Sequence, residues 1–578
     1  MAAISFVSWR ALQPTPPTAS NSADSASFCA IRALDAARLV LGEDPRPVDS
    51  AANIAAVARL KDYFASLGYA PQEQIATVKI PGRGEVTLRN IFIRKEGRQP
   101  LPAILLMSHH DSVAVSPGGS DNGMGVAVCL DAARMLSLQD PPERPVIILV
   151  TDGEEAGLLG AKLFTQNHAW ANDIGAVINI DNRGGDGPAQ LFETGPHDLA
   201  LINAIAPRIT HPVMSSFFVE IYRRMPNGTD LSAFLARGNT GINIACTDAI
   251  ERYHTPADTF DAVNLASLQH EGDMATQALS GLCAMPANEF PTESAVFIDV
   301  FGRFVLAWSA RSGVVLSIAA VLGVVGFGAH VARAQRQLNE TSGDLFTRDY
   351  FKGALATVVA LSATIALVMF AAWIMERAGL YGRQYASAVL EQQGVAKNAK
   401  PLKESALFSA AYWPPRGIAL YVFLACMCVP ISWLTTKFFL RGSSPWKCWT
   451  GVWSAIGIIN LAISIVTPGA GAILLPIVMG AGCAAWIGAA IFGIHSGVTA
   501  FLAMCVPLII AAAIYAPLEI LSWQGVGLSM PIFRGFLSGL YAVFFLMLFA
   551  LPPVTESTDA AAGREANTPE AAPITPAN

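Results

Sequence analysis

Beyond about residue 310 the chain is dominated by long, nearly uncharged apolar runs, and these constrain its architecture more than any other feature. Candidate spans are 314–334, 354–374, 417–437, 449–467, 471–492, 498–520 and 532–551. Each is near the ~20 residues a helix needs to cross ~30 Å of hydrocarbon. In lipid the backbone must satisfy its own hydrogen bonds, so these runs are expected to form an all-α, multi-span domain of about seven helices over 291–553. Glu519 is the only acid inside them and is expected near a helix end at the interface. The short flanks after the first and third spans carry Arg333, Arg336, Arg348 and Lys352, and Lys437, Arg441 and Lys447. By the positive-inside rule these loops are cytoplasmic, and the large N-terminal region lies on the other face. Several basic residues in the longer loop 376–416 dilute that signal.

The first half is of another kind. Residues 1–27 read as a short apolar stub and a Pro/Ser/Thr/Ala linker, too short in their apolar part to span or to serve as a signal peptide. From 28 to about 290 helix and strand signals alternate. Runs 30–41 and 51–67 have amphipathic helical spacing. PAILLMS (102–108), PVIILVT (145–151), AVINI (176–180) and GINIAC (241–246) are short, wholly apolar runs, as in strands buried on both faces. Helices are expected over 121–136, 155–166 and 231–237. The alternation predicts an α/β domain with a mostly parallel or mixed central sheet and helices on both faces. Residues 554–578 form a Pro/Ala/Glu tail expected to be disordered.

Charge excludes one function class. The formal net charge is −6 and there is no basic stripe, so nucleic acid is not expected as a partner. The nine cysteines show no zinc-finger spacing. Acidic and imidazole groups instead cluster where the predicted strands end: His109, His110 and Asp111; Asp121 after PGGS; Asp152, Glu154 and Glu155; Asp181; and Tyr253, His254 and Asp258. Open α/β sheets bind ligands beyond the carboxyl ends of their strands, so one sheet can deliver these groups to one place. Histidine and carboxylate without cysteine make an ordinary hydrolytic zinc set. A two-metal site needs a bridging ligand, terminal ligands and a spare carboxylate as base, and adjacent Glu154 and Glu155 can divide ligation and base between them. Simpler roles exist for single residues. Asp121 has the placement of a helix N-cap, and Glu154 and Glu155 that of first-turn acids. His110 should point away from His109 by strand alternation. Thr229 and Asp230 read as an N-cap, Asp258 as a brace for the His254 loop, and His168, His197, His211 and His270 as ordinary residues.

The motifs SHHDSV, PGGSDNGMGVA, TDGEEAGLLGA, INIDNRGG and YHTPADT, in that order, resemble those of the co-catalytic zinc aminopeptidases, metallopeptidase family 28. NIDNRGGDGPAQLFETGP followed by a multi-span half is similar to the membrane-bound branch of endoplasmic-reticulum metallopeptidases and vacuolar membrane proteases. The resemblance covers roughly residues 30–285 by motif. It implies a zinc-aminopeptidase, phosphorylase/hydrolase-like fold, two zinc ions, and peptide substrates hydrolysed from their N-termini. It further implies His109 and Asp181 as terminal ligands of one zinc, Glu155 and His254 of the other, and Asp121 as the bridge. Glu154 would be the general base, Asp111 would orient His109, and Tyr253 would help at the oxyanion. Where many soluble relatives carry Ser-Asp-His before the last strand, this chain has Gly228-Thr229-Asp230-Leu231. Alternatives on the same fold are a glutaminyl cyclase, which uses one zinc, and a carboxypeptidase or other amide hydrolase. A receptor or scaffold with a dead peptidase domain would have lost ligands, and a transporter would carry more intramembrane charge. High alanine content suggests a bacterial inner-membrane protein with a periplasmic catalytic domain. The sequon at Asn227 argues weakly against the secretory pathway.

Overall fold

The computed structural model describes residues 7, 10–18, 25–80, 84–225, 228–286, 293–337, 344–378, 417–525 and 531–549. The expected tail at 554–578, the sequon residue Asn227, nearly all of the loop 376–416 and most of the stub at 1–9 lie outside them.

The N-terminal half is built on a seven-stranded mixed sheet. Its strands are β1 (Gln72–Ile80), β2 (Gly84–Lys95), β3 (Ala103–His109), β4 (Val146–Thr151), β5 (Ile174–Ile180), β6 (Asp186–Thr194) and β7 (Thr240–Asp248), in the spatial order β1-β2-β4-β3-β5-β7-β6. The four central strands β4, β3, β5 and β7 are parallel. They are the four expected from sequence. β1, β2 and β6 pair antiparallel at the edges and were not expected. The register sets His109 beside Thr151 and Ile180 beside Ile244, so all four central strands present their carboxyl ends at one edge.

Alternation along these strands divides the core in two. Ile104, Leu106, Ile148, Val150 and Ile178 pack with α1 (Ala30–Leu41), α2 (Ala51–Ser66), α3 (Gly123–Leu138) and α8 (Leu265–Cys283). Leu105, Met107, Ile147, Leu149 and Val177 face α4 (Leu159–Asn167) and α7 (Asp230–Arg237). Two covered faces explain why the central runs are apolar throughout. Ser50 caps α2 by accepting from the Asn53 N–H at 3.1 Å, a contact worth about 1 kcal/mol. Two short helices complete this half, α5 (Leu199–Ile205) and α6 (Ser216–Tyr222). A hairpin, β8 (Ala295–Val300) and β9 (Phe304–Ser309), closes it. The Ala295 N–H donates to Asp198 at 2.7 Å and the Asp299 N–H to the Met214 carbonyl at 2.9 Å, so the hairpin is part of the α/β half.

The second half contains α9 (Ala310–Gln337), α10 (Arg348–Arg377), α11 (Gly417–Thr435), α12 (Pro445–Val466), α13 (Leu475–Phe492), α14 (Gly497–Gly525) and α15 (Pro531–Phe549). Among the described residues five stretches are long and apolar enough to cross a membrane, all in α9, α10 and α12–α14; shorter apolar stretches lie in α11 and α15. Glu519 stands two residues from the Leu521 end of its apolar stretch, near a helix end as expected, but it is 1 % exposed, packed inside the bundle. At one end of the bundle Asp349 accepts from the Ser444 N–H at 2.9 Å and Lys352 reaches Ser443 at 2.8 Å, which joins the two basic loops. α12 starts there and runs 22 residues, ~33 Å at 1.5 Å per residue, to the 3-10 turn Pro468–Ala472. In that turn the Gly469 carbonyl accepts from Ser216 Oγ at 2.8 Å. The basic loops and the α/β half therefore sit at opposite ends of the bundle.

His270 is buried in α8. Its Nδ1 accepts from the Ala189 N–H at 3.1 Å and its Nε2 lies 2.8 Å from the His211 carbonyl. Burial, and then its neighbour His211, hold it down to about 3. An unfolded histidine titrates near 6.5. Between those values the unfolded chain takes up a proton that the folded chain does not. Stability from this site is thus present above about pH 6.5 and declines towards pH 3, by at most ~1.4 kcal/mol per pH unit. His270→Gln should flatten the fall in unfolding temperature from about pH 6 to pH 4. Parallel curves for the two proteins would refute this assignment.

Candidate metal centre and its pocket

The candidate residues come from turns directly beyond the carboxyl edge of the sheet. His109 ends β3. Asp121 stands two residues before α3, just before Asn122, which flanks that helix and makes no capping hydrogen bond through its side chain. Asp121 therefore does not take the helix N-cap role. Glu154 and Glu155 lie in a tight turn in which the Gly157 and Leu158 N–H groups donate to the Glu154 carbonyl at 2.9 and 2.8 Å. α4 starts only at Leu159, so the helix expected from 155 begins four residues late and the two glutamates are not first-turn acids. Gly153, at φ 74°, supplies the left-handed backbone this turn requires. Asp181 follows β5. His254 follows β7 and itself has φ 57°, uncommon outside glycine.

These residues form two clusters that share Asp121. His109 Nε2 lies 3.3 Å from Asp121 Oδ1 and 3.7 Å from Asp181 Oδ1. His254 Nε2 lies 3.0 Å from Asp121 Oδ2 and 2.9 Å from Glu155 Oε1. One oxygen of Asp121 thus serves each cluster. Within each cluster the donor atoms lie within 4.8 Å of one another. Both imidazole Nε2 atoms are buried without a hydrogen-bond partner. Aiming such atoms at carboxylates in a dry site is costly unless a cation lies between them. The donor set, imidazole and carboxylate without thiol, suits zinc.

The electrostatics show the strain of this packing. Burial opposes charge on His254, but Glu155 and Asp121 outweigh it and lift the ring to about 10. His109 is likewise raised against its burial by Asp111, Asp121 and Asp181. Burial also opposes charge on Asp121, yet His109 and His254 pull it below the usual carboxylate range. Glu155 is pushed up to about 7 by burial. Glu154 is pushed well above its ordinary value by burial and then by the Asp181 carboxylate.

The surrounding residues differ partly from expectation. Asp111 does approach His109, but the ring Nδ1 lies 3.1 Å from the Asp111 backbone carbonyl and 3.5 Å from its carboxylate. The carboxylate accepts from the Glu154 and Glu155 N–H groups at 3.1 and 3.2 Å, and so fixes the glutamate turn. Asp258 braces the His254 loop, as expected, by tying it to the Asp121 loop: its carboxylate accepts from the Ser120 and Asp121 N–H groups at 2.8 and 3.1 Å. His110 points away, with Nε2 3.1 Å from the Arg89 carbonyl. Asp152 accepts from Asn53 and the Arg89 N–H, both at 2.9 Å, outside the clusters. Tyr253 stacks on the His254 ring with centroids 3.8 Å apart.

Three features were not foreseen. Asp230 does not cap α7; its buried carboxylate accepts from Thr151 at the end of β4, and burial pushes it up to about 7. The Thr229 N–H, in contrast, does donate to Ser232 Oγ at 3.2 Å, as in a cap. Arg46 is wholly buried and donates to the carbonyls of His110 and Gly118 at 3.0 and 3.2 Å, holding the loop that leads to Asp121. Nothing in its DPRPV context marks that role. Finally, a cavity of about 170 Å³ opens on Asp121, Glu154 and Asp181, and its lining includes Leu521 from α14.

Sheet, edge and paired clusters together define a metal-dependent hydrolase site, and residues 90–279 match Peptidase family M28. That match covers the greater part of the α/β half, and zinc dependence goes with the family it matches. Endoplasmic reticulum metallopeptidase 1 of Homo sapiens is 29% identical over 316 residues, covering 52% of this chain and 34% of the relative. The Mus musculus protein of the same name is 32% identical over 247 residues, 41% of this chain and 28% of the relative. Vacuolar membrane protease of Eremothecium gossypii is 32% identical over 226 residues, 39% of this chain and 22% of the relative. The chain thus spans about a third or less of the length of these relatives. Among solved structures, an aminopeptidase from Aneurinibacillus sp. strain AM-1 gives a TM-score of 0.37 at 15% identity, covering 46% of this chain and 96% of that one. A Porphyromonas gingivalis glutaminyl cyclase gives 0.37 at 22%, covering 44% and 99%. Scores at this level decide nothing between peptidase and cyclase.

Asp111→Ala removes the acceptor that holds the glutamate turn. It should weaken zinc binding ~10–100-fold, the usual cost of losing a group that orients ligands. Competition with a fluorescent chelator measures this, and wild-type affinity in the variant would refute the role.

Proposed function

We propose that the chain is a membrane-bound zinc exopeptidase that hydrolyses N-terminal residues from peptides. The observation that carries this reading is the division of Asp121, with one oxygen facing His109 and Asp181 and the other facing Glu155 and His254. In this reading His109 and Asp181 would hold one zinc, Glu155 and His254 would hold a second, and Asp121 would serve both. A glutaminyl cyclase works with one ion, so the His109–Asp181 cluster favours the peptidase.

Bound zinc would polarise the scissile carbonyl and make water acidic enough to react at neutral pH. The protein's own groups do the rest. Glu154 faces the cavity next to Asp121 and Asp181 and belongs to neither cluster. It is placed to take a proton from the attacking water at a carboxylate oxygen and return it to the leaving amine. Asp111 positions Glu154 and Glu155 through their backbone. Tyr253 borders the cavity and is placed to donate to the carbonyl oxygen as negative charge develops there.

We take the catalytic unit to extend through the β8–β9 hairpin to Ser309, with the membrane unit following from α9. The protein is an integral membrane protein. The catalytic domain faces away from the basic loops, hence away from the cytoplasm. The narrower placement in a bacterial inner membrane rests on alanine content, and the relatives named above, from mammals and a fungus, give it no support.

Glu154→Gln should keep two zincs per chain and lower kcat at least ~100-fold on amino-acid p-nitroanilides. Asp181→Ala should lower the zinc content from two to one. Metal analysis alongside the assay tests both, with chelator-treated wild type as the zero. Full activity in the Glu154 variant would overturn the base assignment, and two retained zincs in the Asp181 variant would overturn the second ion.

A further inference from the structure

The cavity above the clusters is lined by Asp121, Glu154 and Asp181, by polar groups that include Arg183, Gln190 and Thr247, and by an apolar wall that is not wholly the catalytic domain's own. Phe192, Phe218, Ile221, Tyr222, Met225 and Leu521 form that wall. Phe192 comes from β6, and its ring meets Tyr222 edge-on with centroids 4.7 Å apart. Phe218, Ile221 and Tyr222 belong to α6, with Met225 just beyond. Leu521 belongs to α14, a membrane-crossing helix, and is 3 % exposed. Phe217, Phe218 and Ile221 share one apolar cluster with Leu518, Leu521, Ala472 and Ile473, so α6 is packed into the top of the bundle.

The seating of α6 is fixed by polar contacts as well. Ser216 Oγ donates to the Gly469 carbonyl at 2.8 Å and accepts from the Phe297 N–H at 3.0 Å. A side chain at position 469 would come within 2.7 Å of the Ser216 carbonyl oxygen, so α6 and the 468–472 turn meet at backbone distance. The wall that α6 presents to the cavity is therefore held in place by the membrane half.

We propose that the membrane half is part of the substrate site, with Leu521 a specificity-determining residue that selects peptides whose N-terminal side chain is large and apolar. This rests on the exopeptidase reading above. A scissile carbonyl placed at Asp121, Glu154 and Asp181 leaves the N-terminal side chain facing the apolar wall. Apolar contact there is non-directional and scales with area, so the space left by residue 521 sets which side chains fit.

The test uses the full-length chain in nanodiscs, loaded with zinc, as wild type, Leu521→Trp and Leu521→Ala. The readouts are kcat/KM for alanine, leucine and phenylalanine p-nitroanilides, and the affinity of alanine and phenylalanine hydroxamates by calorimetry. One methylene in an apolar pocket changes discrimination by about 10–200-fold. Leu521→Trp should therefore lower the phenylalanine-to-alanine ratio of kcat/KM at least ~10-fold. Leu521→Ala should move the phenylalanine-to-leucine ratio the opposite way, in favour of the larger side chain. A variant that is merely misfolded would depress all substrates alike and would not give opposite trends. Ratios unchanged in both variants, or shifted the same way, overturn the proposal. If wild type hydrolyses none of the substrates but the hydroxamate preference still shifts with residue 521, the peptidase reading falls and the role of Leu521 stands.

Discussion

Asp121 presents one oxygen to His109 and the other to His254, and the domain has to bury that arrangement together with Glu154, Glu155 and Asp181. Charges removed from water need fixed partners, and at this site the partners are largely backbone. The Asp111 carboxylate holds the glutamate turn by two N–H groups, Asp258 holds the Ser120–Asp121 peptide by two more, and Arg46 ties down the His110 and Gly118 carbonyls of the preceding loop. Groups outside the two donor clusters thus fix where the oxygens of the centre lie.

The parallel core makes this possible. Four strands buried on both faces end together, and each contributes a turn to the same edge. The apolar runs of these strands were legible because such strands need no alternation. β1, β2 and β6 were not, for a related reason: they are edge or near-edge strands with mixed polarity, as in QEQIATVKI, and such a pattern resembles a solvated segment. Periodicity also placed the helix after β4 too early. Glu154 to Leu158 carry helical propensity, but Gly153 and Gly157 let the chain turn first, and the turn is what brings both glutamates to the site.

The same limit applies to single residues. The order and spacing of five motifs marked the clustered residues, since chemistry demands those types at strand ends. Asp230 shows where such reasoning stops. An Asp beside a Thr at a helix start has the signature of a cap, and only the three-dimensional packing against Thr151 reveals the other partner. Glu519 shows it again, because hydropathy locates a span but not which side of the helix meets its neighbours.

Seating α6 in the bundle has a topographic consequence. The cavity lies at the end of a membrane-crossing helix, so its distance from the lipid surface is fixed by backbone contact and not by a tether. Under the exopeptidase reading proposed above, a chain end is cut only where it reaches that height, and the bilayer sets the height.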